Sequence, residues 1–66
     1  MANILFSDIE KLLIALGSEK IEGSGSRVAF SKDNETVFFH RPHPQKEAKK
    51  YQIEMAREFL ERIDHE

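Results

Sequence analysis

The sequence predicts an α+β domain in the order α-β-β-β-α, a three-stranded antiparallel sheet with two helices on one face. Three observations carry that prediction. Apolar residues recur at helical spacing near both ends, they alternate with polar ones through the middle, and turn-forming pairs separate the alternating runs. Two amphipathic helices and a half-buried sheet cover their apolar sides most simply by stacking in two layers, which leaves the other sheet face open. With 66 residues the chain is expected to form one domain, 1–66. A chain of this length removes about 60% of its unfolded surface from water.

Ser7-Asp8-Ile9-Glu10 reads as a capping box, with Ser7 as N-cap and Glu10 reaching back from three residues on. Ile9, Leu12, Leu13 and Leu16 follow at helical spacing, and Gly17 stands where a left-handed residue closes a helix. Ser18 to Glu22 reads as a short strand with Ile21 as its strong apolar residue. Gly23-Ser24-Gly25-Ser26 is a flexible turn. Residues 27–32 alternate, Asp33-Asn34 has turn chemistry, and residues 35–40 complete a hairpin. Its last strand, Thr36 to His40, is apolar on both faces. Pro42 and Pro44 cannot continue a sheet ladder. A second helix is expected from near Lys46 to Ala48, with Ala48, Tyr51, Met55, Ala56, Phe59, Leu60 and Ile63 as its apolar stripe.

Charge is unevenly spread. Residues 27–52 carry Arg27, Lys32, Arg41, Lys46, Lys49 and Lys50 against Asp33, Glu35 and Glu47, a local +3 in a chain of net −2. An acidic whole argues against tight nonspecific binding to duplex DNA, while a local basic face suits a small nucleic-acid footprint. The sequence has no cysteine, which rules out disulfides and thiolate metal sites. His40, His43 and His65 are too scattered to predict a metal site, so no cofactor is expected. The start lacks a positive n-region and no apolar run approaches the ~20 residues of a membrane span. A soluble, cytoplasmic protein is therefore expected.

The segment Phe39-His40-Arg41-Pro42-His43-Pro44-Gln45-Lys46-Glu47-Ala48-Lys49-Lys50 joins strand to helix and concentrates imidazole and positive charge. Those properties together point to contact with phosphate. If the adjacent strand pairs in register, Arg27, Ala29 and Ser31 share a face with His40, Phe38 and Thr36. Phe38 would stack on a base, Arg27 would clamp phosphate and His40 would supply an imidazole. Burial of Phe38 in a homodimer or another protein interface is the alternative. His43 between two prolines reads equally as a structural cap hydrogen-bonded to backbone. Ser24 and Ser26 are more simply turn residues than nucleophiles.

The element order, together with Gly25-Ser26-Arg27-Val28-Ala29-Phe30 and Pro42-His43-Pro44-Gln45-Lys46-Glu47-Ala48-Lys49, resembles the HicA family over nearly the whole chain. These are small prokaryotic messenger-RNA-cleaving toxins whose fold is related to double-stranded-RNA-binding domains. The resemblance implies a metal-independent endoribonuclease, a hydrolase of RNA held inactive by a HicB-type antitoxin. Two positions depart from the family pattern. Arg27 stands where members typically carry the histidine regarded as catalytic, and Lys50-Tyr51 stands where many carry Gly-Thr. Arginine does not act as a base, so proton transfer would fall to His43 and His40, with Arg27 holding phosphate. On this reading His43→Ala impairs function more than His40→Ala. Ser26, Arg27, Phe38, Arg41, Lys46, Lys49 and Lys50 are the expected RNA contacts. The substitution at 27 also leaves open a noncatalytic RNA-binding or protein-interaction module.

Overall fold

Helix α1 (Phe6–Ala15), strands β1 (Glu19–Glu22), β2 (Arg27–Lys32) and β3 (Glu35–His40), and helix α2 (Lys50–Ile63) follow one another along the chain. The structure is a computed structural model and describes residues 3–63; His65 lies outside the described residues. The strands form one antiparallel sheet in the order β1-β2-β3. One sheet face carries Val28, Phe30, Val37 and Phe39, which join Phe6, Ile9 and Leu13 of α1 and Ala56 and Phe59 of α2 in a single core. Phe39 lies at its centre, edge-to-face with Phe6 at 5.4 Å and with Phe30 at 6.3 Å. The expected α-β-β-β-α architecture is the one observed.

The start of α1 differs from the capping-box expectation. Leu5 is the N-cap and makes no side-chain cap bond, so Ser7 lies inside the first turn. What sets the start is distant in sequence. Phe6 N–H donates to the Lys46 carbonyl at 2.9 Å, and Ala48 N–H donates to the Ile4 carbonyl at 2.7 Å. Leu5 and Glu47 thus form an antiparallel bridge. This bridge satisfies an orphan helix N–H without a side chain, and Glu10 is free to bond elsewhere. Phe6, Ile9 and Leu13 form the buried stripe, whereas Leu12, at 47% exposure, lies along a groove between the two helices. Leu16 is exposed as well.

Gly17 closes α1 as expected, at φ 99°. Its N–H donates to Ile14 and that of Ser18 to Leu13, the paired bonds of a Schellman ending. Lys32 Nζ adds a 2.8 Å bond to the Leu16 carbonyl. Asp33 and Asn34 link β2 to β3 with φ of 53° and 67°, the left-handed pair of a type I′ turn. In the β1–β2 turn Gly23 is required for space, since a Cβ there would lie 2.9 Å from the Arg27 Cβ.

Helix α2 begins at Lys50, later than the sequence suggests. Lys46 to Ala48 are drawn into the bridge with residues 4–6, and the His43–Pro44 peptide ahead of them is cis. Gln52 then organises the helix start. Buried to 1% exposure, it accepts from Lys49 N–H at 2.9 Å and donates to the His40 carbonyl at 2.8 Å. Tyr51, expected in the apolar stripe, is 54% exposed because its neighbour Gln52 takes the inward position. Ile53, Met55, Leu60 and Ile63 pack at the core's margin. Arg62 Nε reaches Glu35 at 2.7 Å and fixes the far end of α2 to β3.

Candidate functional site

The strand register decides which chemistry meets. Arg27 pairs with His40, Ala29 with Phe38, and Ser31 with Thr36. Cross-strand partners share a sheet face, so all six project from the face that the helices leave open. Phe38 is 70% exposed there. From β1, Ile21 pairs with Ala29 and extends the row. The result is a shallow trough of about 370 Å³ with Ile21, Ala29 and Phe38 along it and Arg27 and His40 at one end.

Arg27 is the first residue of β2, and the turn before it fixes its backbone. Gly23 N–H donates to the Arg27 carbonyl at 3.0 Å and Arg27 N–H to the Ser24 carbonyl at 3.3 Å. Its guanidinium makes no ion pair with another described residue and is available to an anion. His40 closes β3. Its carbonyl is held by Gln52 while its side chain stands on the open face. Ser26 is exposed just before β2, and its carbonyl accepts from Arg41 N–H at 2.8 Å.

The remaining basic residues lie elsewhere. Arg41 follows His40 and, by alternation, turns to the helix side. Its Nε donates to Glu10 Oε2 at 3.1 Å and its Nη2 to Glu22 Oε2 at 3.0 Å. Lys20 Nζ adds contacts of 3.3 Å to Glu22 and 3.9 Å to Glu10. The hydrogen bond from Arg41, before any other cause, holds the Glu22 carboxyl below its ordinary 4.5, and the same bond raises Arg41. This network joins α1, β1 and the connector. Lys46 lines a small cleft with Arg41, Pro42 and Phe6, while Lys49 and Lys50 are exposed at the start of α2. His43 is exposed in the connector and hydrogen-bonds no described residue, so the cap role has no bond behind it.

The structure therefore brings Arg27, Phe38 and His40 together and sets His43, Arg41, Lys46, Lys49 and Lys50 apart on the connector and helix start. Sequence reasoning missed Ile21 as part of the trough, although its place as the one strong apolar residue of β1 was the available signal. It also missed Gln52, whose position three residues after Lys49 is the Gln half of a capping box. Among the described residues, no helix is long and apolar enough to cross a membrane, and no group of three or more His, Asp or Glu side chains could hold a metal ion.

No curated protein and no solved structure matches the chain. One family model does, over residues 6–61, from the first residue of α1 almost to the end of α2. That family is described as the HicA toxin of bacterial toxin-antitoxin, whose members imply a cognate antitoxin as partner. With the α-β-β-β-α order and the open three-stranded sheet already in place, the match spans every element of the fold, and the chain belongs to the HicA toxin family.

Proposed function

We propose that this toxin is an endoribonuclease that cleaves messenger RNA in the cytoplasm and is restrained by a HicB-type antitoxin. The observation that carries this reading is the cross-strand pair Arg27 and His40 at one end of a trough that also exposes Phe38. The reaction it suits is attack by a ribose 2′-hydroxyl on the adjacent phosphate. The 2′-oxygen bonds to phosphorus, the bond to the 5′-oxygen breaks, and the products are a 2′,3′-cyclic phosphate and a free 5′-hydroxyl.

Imidazole exchanges protons near neutral pH, so His40 takes the 2′-hydroxyl proton. Arg27 grips the phosphate with two parallel N–H groups and stabilises the charge that builds on it. His43 stands on the connector outside the trough, so as proton donor to the leaving 5′-oxygen it would have to act from beyond the trough's edge. Phe38 stacks on an unpaired base and holds the strand in line. This assignment gives His40 more weight than His43, the reverse of the ranking expected from sequence.

The test is RNA cleavage by the purified protein, read as new 2′,3′-cyclic phosphate ends. His40→Ala should slow it by about 10²–10⁴-fold, and Arg27→Ala by about 10²–10³-fold. His43→Ala should do less than His40→Ala. Arg27→His, which puts histidine back at the family's usual position, should be compared on the same RNA. Wild-type protein that binds RNA without cutting it would overturn the nuclease reading in favour of a noncatalytic module.

A further inference from the structure

The open face continues beyond the trough. Its residues fall in three rows across the sheet: Arg27 with His40, then Ile21–Ala29–Phe38, then Glu19–Ser31–Thr36. Successive rows lie two residues apart along the strands, about 6.6 Å, a spacing on which neighbouring unstacked nucleotides can each meet a row. The chemistry changes from row to row. The first is cationic, the second apolar and aromatic, and the third holds two hydroxyls and a carboxylate.

In the third row Thr36 Oγ1 donates to Ser31 Oγ at 3.4 Å, which ties the two hydroxyls side by side. Glu19 is exposed, and its carboxylate makes no ion pair or hydrogen bond with a described residue. Its neighbour Lys20 points the other way, into the network with Glu10 and Glu22. A carboxylate repels the RNA backbone and only accepts hydrogen bonds. It suits a base edge that presents an exocyclic amino group, which adenine, cytosine and guanine carry and uracil lacks. Such an edge is open only in an unpaired strand.

We infer that Glu19, Ser31 and Thr36 form a base-reading subsite for single-stranded RNA, next to the base stacked on Phe38, that selects an amino-bearing base over uracil. This rests on the reading of the trough as an RNA site. Arg27 and His40 hold the backbone at one end, Phe38 holds any base, and the third row supplies the choice.

Short 2′-O-methyl RNA oligonucleotides, which lack the nucleophile, separate binding from cleavage. Fluorescence anisotropy on a set that varies one position at a time should show A, C or G binding at least about 5-fold tighter than U at one position. Glu19→Ala, an exposed edge-strand change, should shrink that preference to within about 2-fold, and the all-uridine oligonucleotide should bind as well as before or better. Phe38→Ala should weaken every oligonucleotide alike. If wild type binds, Phe38→Ala abolishes binding and no base preference exists, the subsite is refuted while the trough reading stands. A preference that survives Glu19→Ala refutes it equally. If wild type binds no oligonucleotide, the trough reading fails and the subsite with it.

Discussion

Replacing Gln52 by methionine tests whether one buried amide joins helix α2 to the site. Methionine keeps the unbranched shape and bulk of glutamine but neither donates nor accepts an amide hydrogen bond. The wild-type side chain bonds Lys49 N–H and the His40 carbonyl at 2.9 and 2.8 Å. Each buried polar group left without its partner costs about 1–3 kcal/mol. Both partners are part-buried, so the low end applies, and the pair together should cost about 2–3 kcal/mol. A domain of 66 residues has roughly 3–10 kcal/mol to lose. At about 4–8 °C per kcal/mol for a domain of this size, Tm should fall by roughly 10–20 °C. Urea melts followed by circular dichroism would measure the loss directly. Gln52→Glu supplies a pH-dependent control, because it keeps the acceptor for Lys49 N–H but loses the donor to the His40 carbonyl. Its carboxylate would face the His40 carbonyl, which raises its folded pKa, so this variant should be more stable relative to wild type at low pH than at neutral pH. A loss below about 0.5 kcal/mol for Gln52→Met, the scale of an ordinary surface change, would refute the role assigned to this residue.

Arg41→Gln should cost about 1 kcal/mol through the half-buried Glu10 it leaves behind, and salt should reduce the difference from wild type. Because Glu22 is held below 4.5 in the folded state, its contribution is complete above 4.5 and fades as pH falls through the lower folded value. Acid titrations of stability should therefore show a steeper loss for wild type than for Arg41→Gln. In the β2–β3 turn, Asn34→Val should cost about 1–2 kcal/mol because a branched residue resists positive φ, whereas Asn34→Gly should be neutral or stabilising. Equal melting of the two would contradict the type I′ geometry.

How much was legible in the sequence depends on how local each cause is. Gly17, the Asp33-Asn34 turn and the alternation of β2 and β3 report backbone needs met within a few residues, and the structure follows them. The face shared by Arg27, Phe38 and His40 was legible only on condition of an in-register pairing, which the structure supplies by setting Arg27 opposite His40. The start of α1 was not, because its first N–H is satisfied by Lys46, far along the chain. No local pattern marks such a partner. Arg41 was legible as a cation but not as one already paired, since Glu10 and Glu22 reach it only after the sheet and α1 have packed. Phe38, by contrast, was expected on an open face and stands there.

The short bridge between residues 4–6 and 46–48 makes the connector a strap. Both helices hang from it, and neither touches the trough with its own exposed side. The shared core holds both helices to the sheet's back, so the strap's own part is to set where each helix begins. Sequence change in the exposed stretch from His43 to Gln45 should be easier to accommodate than a shift of register at Lys46 to Ala48, where a slip of one residue would misalign both helix starts at once.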